Sequence, residues 1–156
     1  MIQTVGKAMA RNSRGYWVKL IRLTLTGGIA FWVTSIVTSL LPIAAEYRAA
    51  LSNWSAQTVW IASLFAGLLI GGCVSCTFLQ HYGKIPAKGP LTKAMLVSFC
   101  ALIVFTIVID VPMSLQGHSN SLHCFFIGFT FNAARFLLLG AATGCQYRKL
   151  ARKELS

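Results

Sequence analysis

Three groups of residues in this chain have the types and spacing to do chemistry. The first is Arg135, with Asn132 one helical turn before it and Asp110 as the single carboxylate in or beside an apolar run. A guanidinium in an apolar segment binds an anion or lipid headgroup, lines a substrate path, or ties helices together, because a charge in hydrocarbon needs a partner. The second is Cys73-Val-Ser-Cys76, a C-x-x-C that would suit thiol–disulfide exchange or a soft metal. The third is His118-Ser-Asn-Ser-Leu-His123-Cys124 with Asp110 nearby, a set of N, S and O donors of the kind zinc takes tetrahedrally.

Each group also has a plainer reading. Arg135 serves equally as a buried structural residue held by hydroxyls and carbonyls, with Thr34, Ser35, Thr38, Ser39 and Ser63 as accepting partners. Its pairing with Asp110 meets an obstacle of depth. Regular helices put Asp110 near one membrane surface and Arg135 roughly 15–18 Å below it at 1.5 Å per residue. The C-x-x-C faces the wrong way for a membrane thiol oxidoreductase, which works with cysteines on the oxidising side. On a helix it also reads as two small apolar residues on adjacent turns. Loop histidines are ordinary, so His118, His123 and Cys124 are a weak metal set, and no cofactor is expected.

The elements that must position these residues follow from composition. The chain has 156 residues, of which 56% are apolar and 11% charged, with a net charge of +11. Average soluble domains carry about 25% charged residues, so a soluble globular fold is excluded by lack of polar surface, and disorder by excess of apolar residues. Uncharged runs extend over 23–45, 49–83, 94–109 and 111–134, the last continuing past Arg135 to Tyr147. Each approaches or exceeds the roughly 20 residues that span a bilayer. The expectation is an all-α membrane protein, a bundle of four transmembrane helices at 22–44, 58–80, 94–112 and 123–146. Residues 1–21 form a basic N-terminal segment, read as an amphipathic surface helix or a transit peptide, 22–147 the membrane domain, and 148–156 a basic tail.

Twelve of the 14 Lys and Arg residues fall in the N-terminal flank, the 84–93 loop and the C-terminal flank. The positive-inside rule then puts both termini on the cytoplasmic, matrix or stromal side. Tyr16, Tyr82 and Tyr147 fall at that boundary and Tyr47, Trp54 and Trp60 at the other, as an aromatic belt would, with Trp32 the exception. Charge split among three short flanks calls for anionic lipid headgroups as partner, and for no nucleic acid. Asn53-Trp54-Ser55 is a glycosylation sequon too close to the membrane to be used.

Two helical hairpins emerge from the pattern, as a faint repeat. The first and third helices end in Pro42 and Pro112; the second carries Gly67-x-x-x-Gly71 and the fourth Gly140-x-x-x-Gly144. Such pairs let helix backbones approach closely, within one chain or between two copies, and internal packing is expected over a homodimer. No Ser-His-Asp set, paired carboxylate, HExxH or P-loop appears, so no enzyme activity is expected. The expected role is an accessory or structural membrane protein acting through partners or self-association. The alternatives are a small transporter or channel using Arg135, and more distantly a thiol oxidoreductase using Cys73 and Cys76.

Overall fold

The computed structural model describes residues 2–44, 55–112 and 121–155. Four long helices account for almost all of them: α1 (Ile2–Ser39), α2 (Ala56–His81), α3 (Pro90–Phe105) and α4 (Ser121–Leu155). A π-helical turn, Thr106–Asp110, continues α3. Each helix, α3 together with its π turn, contains a segment long and apolar enough to cross a membrane, at 15–39, 57–81, 90–110 and 125–152. Hydropathy alone would have broken the chain at its basic flanks. The structure does not: α1 runs unbroken through the N-terminal segment, and α4 through the C-terminal basic residues. Lys and Arg are good helix formers, so charge ends the apolar run without ending the helix. At its other end α1 stops at Ser39, five residues short of the expected 44. The sequon at Asn53 lies outside the described residues.

Local chemistry sets the remaining ends. Ser55 caps α2, its hydroxyl accepting from Thr58 N at 3.2 Å. Gly89 takes a left-handed φ of 94°, and Pro90 then opens α3 where its missing N–H costs nothing.

The helices pack side by side in the order α2, α1, α4, α3, with only sparse contact between α2 and α3. Glycines set the close contacts. A Cβ on Gly71 would lie 3.0 Å from Gly28 N and 3.1 Å from Thr24 O; one on Gly67 would lie 2.9 Å from Gly28 O. On α4, a Cβ on Gly140 would meet Ser98 and Met95, and one on Gly144 would lie 2.7 Å from Leu91 Cα. In each hairpin the second helix therefore presents its glycine pair to the first. Gly27 and Gly28 on α1, which the spacing argument passes over, divide the work: Gly28 faces α2, and Gly27 faces Thr143 and Leu139 of α4.

The C-terminal half of α1 would be inverted in a water-soluble protein, with hydroxyls inside and aliphatic side chains outside. On α1, Thr34, Ser35 and Thr38 are buried, while Leu25, Ile29, Val33 and Val37 point outward. Two apolar clusters fill the interior. One centres on Phe31, Val74, Leu102, Phe136 and Leu139, the other on Leu23, Phe78 and Ala94. The second is closed by three rings in contact, Phe78 meeting Tyr147 and Tyr82 edge to face at centroid distances of 5.1 and 5.3 Å and the two tyrosines tilted against each other at 4.9 Å. Lys93 Nζ sits 4.4 Å above the Tyr82 ring and donates to its carbonyl at 2.6 Å. Trp32 finds its place through Nε1, which donates to Trp60 O at 3.0 Å, while Trp60 Nε1 donates to Ser39 Oγ at 2.9 Å.

Candidate functional site

Arg135, Asn132 and Asp110 meet in one hydrogen-bonded chain that also takes in Thr38. Asn132 Nδ2 donates to both Asp110 oxygens, at 3.2 and 3.1 Å. Its Oδ1 accepts from Arg135 at 3.1 Å. The other terminal nitrogen of Arg135 reaches Thr38 Oγ1 at 3.5 Å, and the guanidinium lies 5.9 Å from the centre of the Phe31 ring. Asn132 and Thr38 are buried; Asp110 and Arg135 are half-buried. Three helices, α3, α4 and α1, are thereby tied through four polar side chains.

The expected mismatch of depth between Asp110 and Arg135 does not arise, for two reasons. First, α4 extends well beyond the level at which α3 ends: Asp110 is level with Asn132, eleven residues into α4. Second, the π turn changes which residue faces inward. Ala94, Ser98 and Leu102 recur every four residues on the buried face of α3. Regular α-helix would carry that face on through Phe105 or Thr106 to Ile109. The i→i+5 bond from Val111 N to Thr106 O inserts one extra residue. Val108 and Ile109 then face outward and Asp110 turns in. Pro112 stands just beyond, where it cannot donate to Val108 O, so the regular ladder is already broken at this point.

The α1 partner is prepared by its own backbone. Thr38 Oγ1 lies 2.9 Å from Thr34 O and 3.1 Å from Ser35 O, to which it donates, so its lone pairs are left to accept from Arg135. Thr34 and Ser35 hydroxyls donate to Ala30 O and Phe31 O in the same way.

The cysteines do not converge. Cys73 lines a groove between α2 and α3, with Cys100 on the facing helix. Cys76 turns toward α1, 3.8 Å from Tyr16 Oη, and accepts from Gln80 Nε2 at 3.2 Å. Cys73, Cys76, Cys100 and Cys145 are free thiols. Of the His and Cys candidate ligands, His123 is exposed, while His118 and the Cys124 side chain lie outside the described residues. Among the described residues, no three of His, Cys, Asp and Glu come together as a metal site. Gly67, Gly71, Gly140 and Gly144 all sit in helix contacts within the chain.

What the Asp110–Asn132–Arg135–Thr38 chain can do chemically is limited. Its amide links the carboxylate to the guanidinium, and it holds no nucleophile with an adjacent base. No protein-family model, curated protein or solved structure matches this chain, so its role has to follow from these side chains and the helices they join.

Proposed function

We propose that this is a small multi-pass membrane protein, a bundle of four transmembrane helices without enzymatic activity, acting as an accessory or structural component through partner membrane proteins or a second copy. The observation that carries this reading is the Asp110–Asn132–Arg135–Thr38 chain. Asp110 and Arg135, the charged side chains that a transporter would offer to its substrate, are here linked through Asn132, and Arg135 also reaches Thr38 on α1. A buried polar network so engaged specifies how helices pair. The outward faces of all four helices are apolar and suit lipid or another transmembrane helix. The two glycine-paired hairpins act as repeated packing units in this reading. Both termini and the 82–89 loop, with its basic residues, lie on the cytoplasmic or matrix side, next to anionic headgroups.

Topology is tested by reporter fusions after Gly83 and Ser156, expected to read internal, and near Asn53 and Ser119, expected to read external. An external reading after Gly83 overturns the four-span arrangement. Partnering is tested with a photoreactive residue at Phe65 or Leu138, both exposed. The expected product in native membranes is a discrete protein adduct, whereas lipid adducts alone at both positions would overturn the accessory role. Transport is tested in proteoliposomes: flux abolished by Arg135→Ala in a chain that still folds would favour a transporter instead.

A further inference from the structure

Because α2 and α3 barely touch, the assembly is open along one side. The opening is a groove of about 770 Å³, within the ~300–1,000 Å³ range of small-molecule sites. Phe136 of α4 and Val74 of α2, both buried, form its floor. Its walls run from Leu69 to His81 on α2 and from Leu96 to Ile109 on α3. At 1.5 Å per residue those stretches measure roughly 18–20 Å, well over half of a bilayer hydrocarbon core of about 30 Å. The lining is almost wholly apolar along this length and becomes polar at one end, where His81 and Lys84 lie exposed beside Pro86. The loop that closes this end carries Lys84 and Lys88 and no acid, and the chain's three acidic residues, Glu46, Asp110 and Glu154, are all elsewhere in the sequence.

We infer that this groove holds an acyl chain of an anionic phospholipid, with the headgroup phosphate at Lys84 and His81. Three features select this occupant. Water does not fill an apolar groove, since it needs polar partners. A second copy of the chain, with 3 acids against 14 bases, offers this mouth little anionic charge. The cationic mouth complements a phosphate, and each Lys near an anionic surface adds attraction to it. His81 Nδ1 donates to Thr77 O at 3.2 Å, so its other ring nitrogen offers an N–H to the headgroup phosphate in the doubly protonated form of the ring. Lys93, by contrast, is engaged with Tyr82. The inference rests on the membrane reading above and adds to it a bound ligand and its place.

The test is native mass spectrometry of the full chain after reconstitution into vesicles of equimolar phosphatidylglycerol and phosphatidylcholine and extraction in mild detergent. The parent should retain phosphatidylglycerol in preference to phosphatidylcholine. Lys84→Gln with His81→Gln should cut that preference about fivefold. Lys149→Gln, an exposed basic residue on α4 away from the groove, should leave it unchanged. Ala101→Phe, which fills the groove, should lower retention of both lipids. Should that variant misfold, the exposed Lys84 and His81 pair still decides the matter. Equal retention of the two lipids by the parent, an equal effect of Lys149→Gln, or a lipid-free pair of chains would overturn the proposal. A chain that does not enter vesicles would overturn the membrane reading as well.

Discussion

Asn132 stands between Asp110 and Arg135, donating to the first through Nδ2 and accepting from the second through Oδ1. One amide thus faces a carboxylate and a guanidinium, and their charges fix which way it points. The bridge joins α3 to α4, and Arg135 extends it to α1.

Replacing Asn132 by Leu should remove the amide that Asp110 and Arg135 share. Unpaired buried polar groups cost about 1–3 kcal/mol each, so a clear fall in detergent melting temperature is expected. In a double-mutant cycle, Asp110→Asn and Arg135→Gln should be non-additive by about 0.5–3 kcal/mol, as members of one network are. Additive effects would show that Asn132 does not couple them.

Arg135→Leu should destabilise, and Arg135→Lys should restore only part of the loss. The guanidinium reaches Asn132 and Thr38 with separate nitrogens, whereas a single ammonium lacks that planar fork. A Leu variant melting above the parent would mean that Arg135 is kept under strain for a ligand, and would move the reading toward transport.

The four long apolar helices and the residues that meet in the polar chain were legible in the sequence, because uncharged length and one isolated Arg are visible in it. The geometry joining them was not. Hydropathy averages over several turns and cannot register the one-residue slip at Thr106–Asp110 that turns Asp110 inward. Pro112 was the local signal for that break. Nor does helix length reveal that α4 overshoots α3. The pairs Gly67/Gly71 and Gly140/Gly144 were readable as close-contact residues. Gly27 and Gly28 escaped because adjacent glycines serve two different neighbours, which a one-face spacing rule cannot express. The α2–α3 groove depends on how far two helices splay, a property of the assembled helices that no segment carries alone.

The π turn makes a deletion prediction. Removing Val108 should return this stretch to regular α-helix with the Asp still on the inward face, four positions after Phe105. Folding and the Asp110–Asn132 coupling should survive. Removing Val97 from the regular part of α3 should rotate everything beyond it by about 100° and abolish folding, as monodispersity on size exclusion would report. Equal damage from both deletions would contradict the register argument.

Glycine substitutions should separate sharply by position. Gly71→Ala places its methyl 3.0–3.1 Å from backbone atoms of Gly28 and Thr24, which cannot yield. Gly72→Ala meets only the Thr24 side chain at 3.6 Å, an ordinary contact. The first should lower the melting temperature. The second should be neutral or raise it slightly, since Ala exceeds Gly in helix preference by about 0.8–1.0 kcal/mol.

The hydroxyls of α1 bear on the order in which the protein is made. Thr34, Ser35 and Thr38 each donate to a carbonyl of their own helix, so α1 satisfies these donors before any other helix exists. During synthesis it precedes α4 by three spans, and in the membrane reading it must wait in lipid for a partner with Arg135 still on the ribosome. A face built from Asn or Gln would spend that interval with unpaired amides. Self-satisfied hydroxyls let α1 insert early and still hold an acceptor ready for the last helix to arrive.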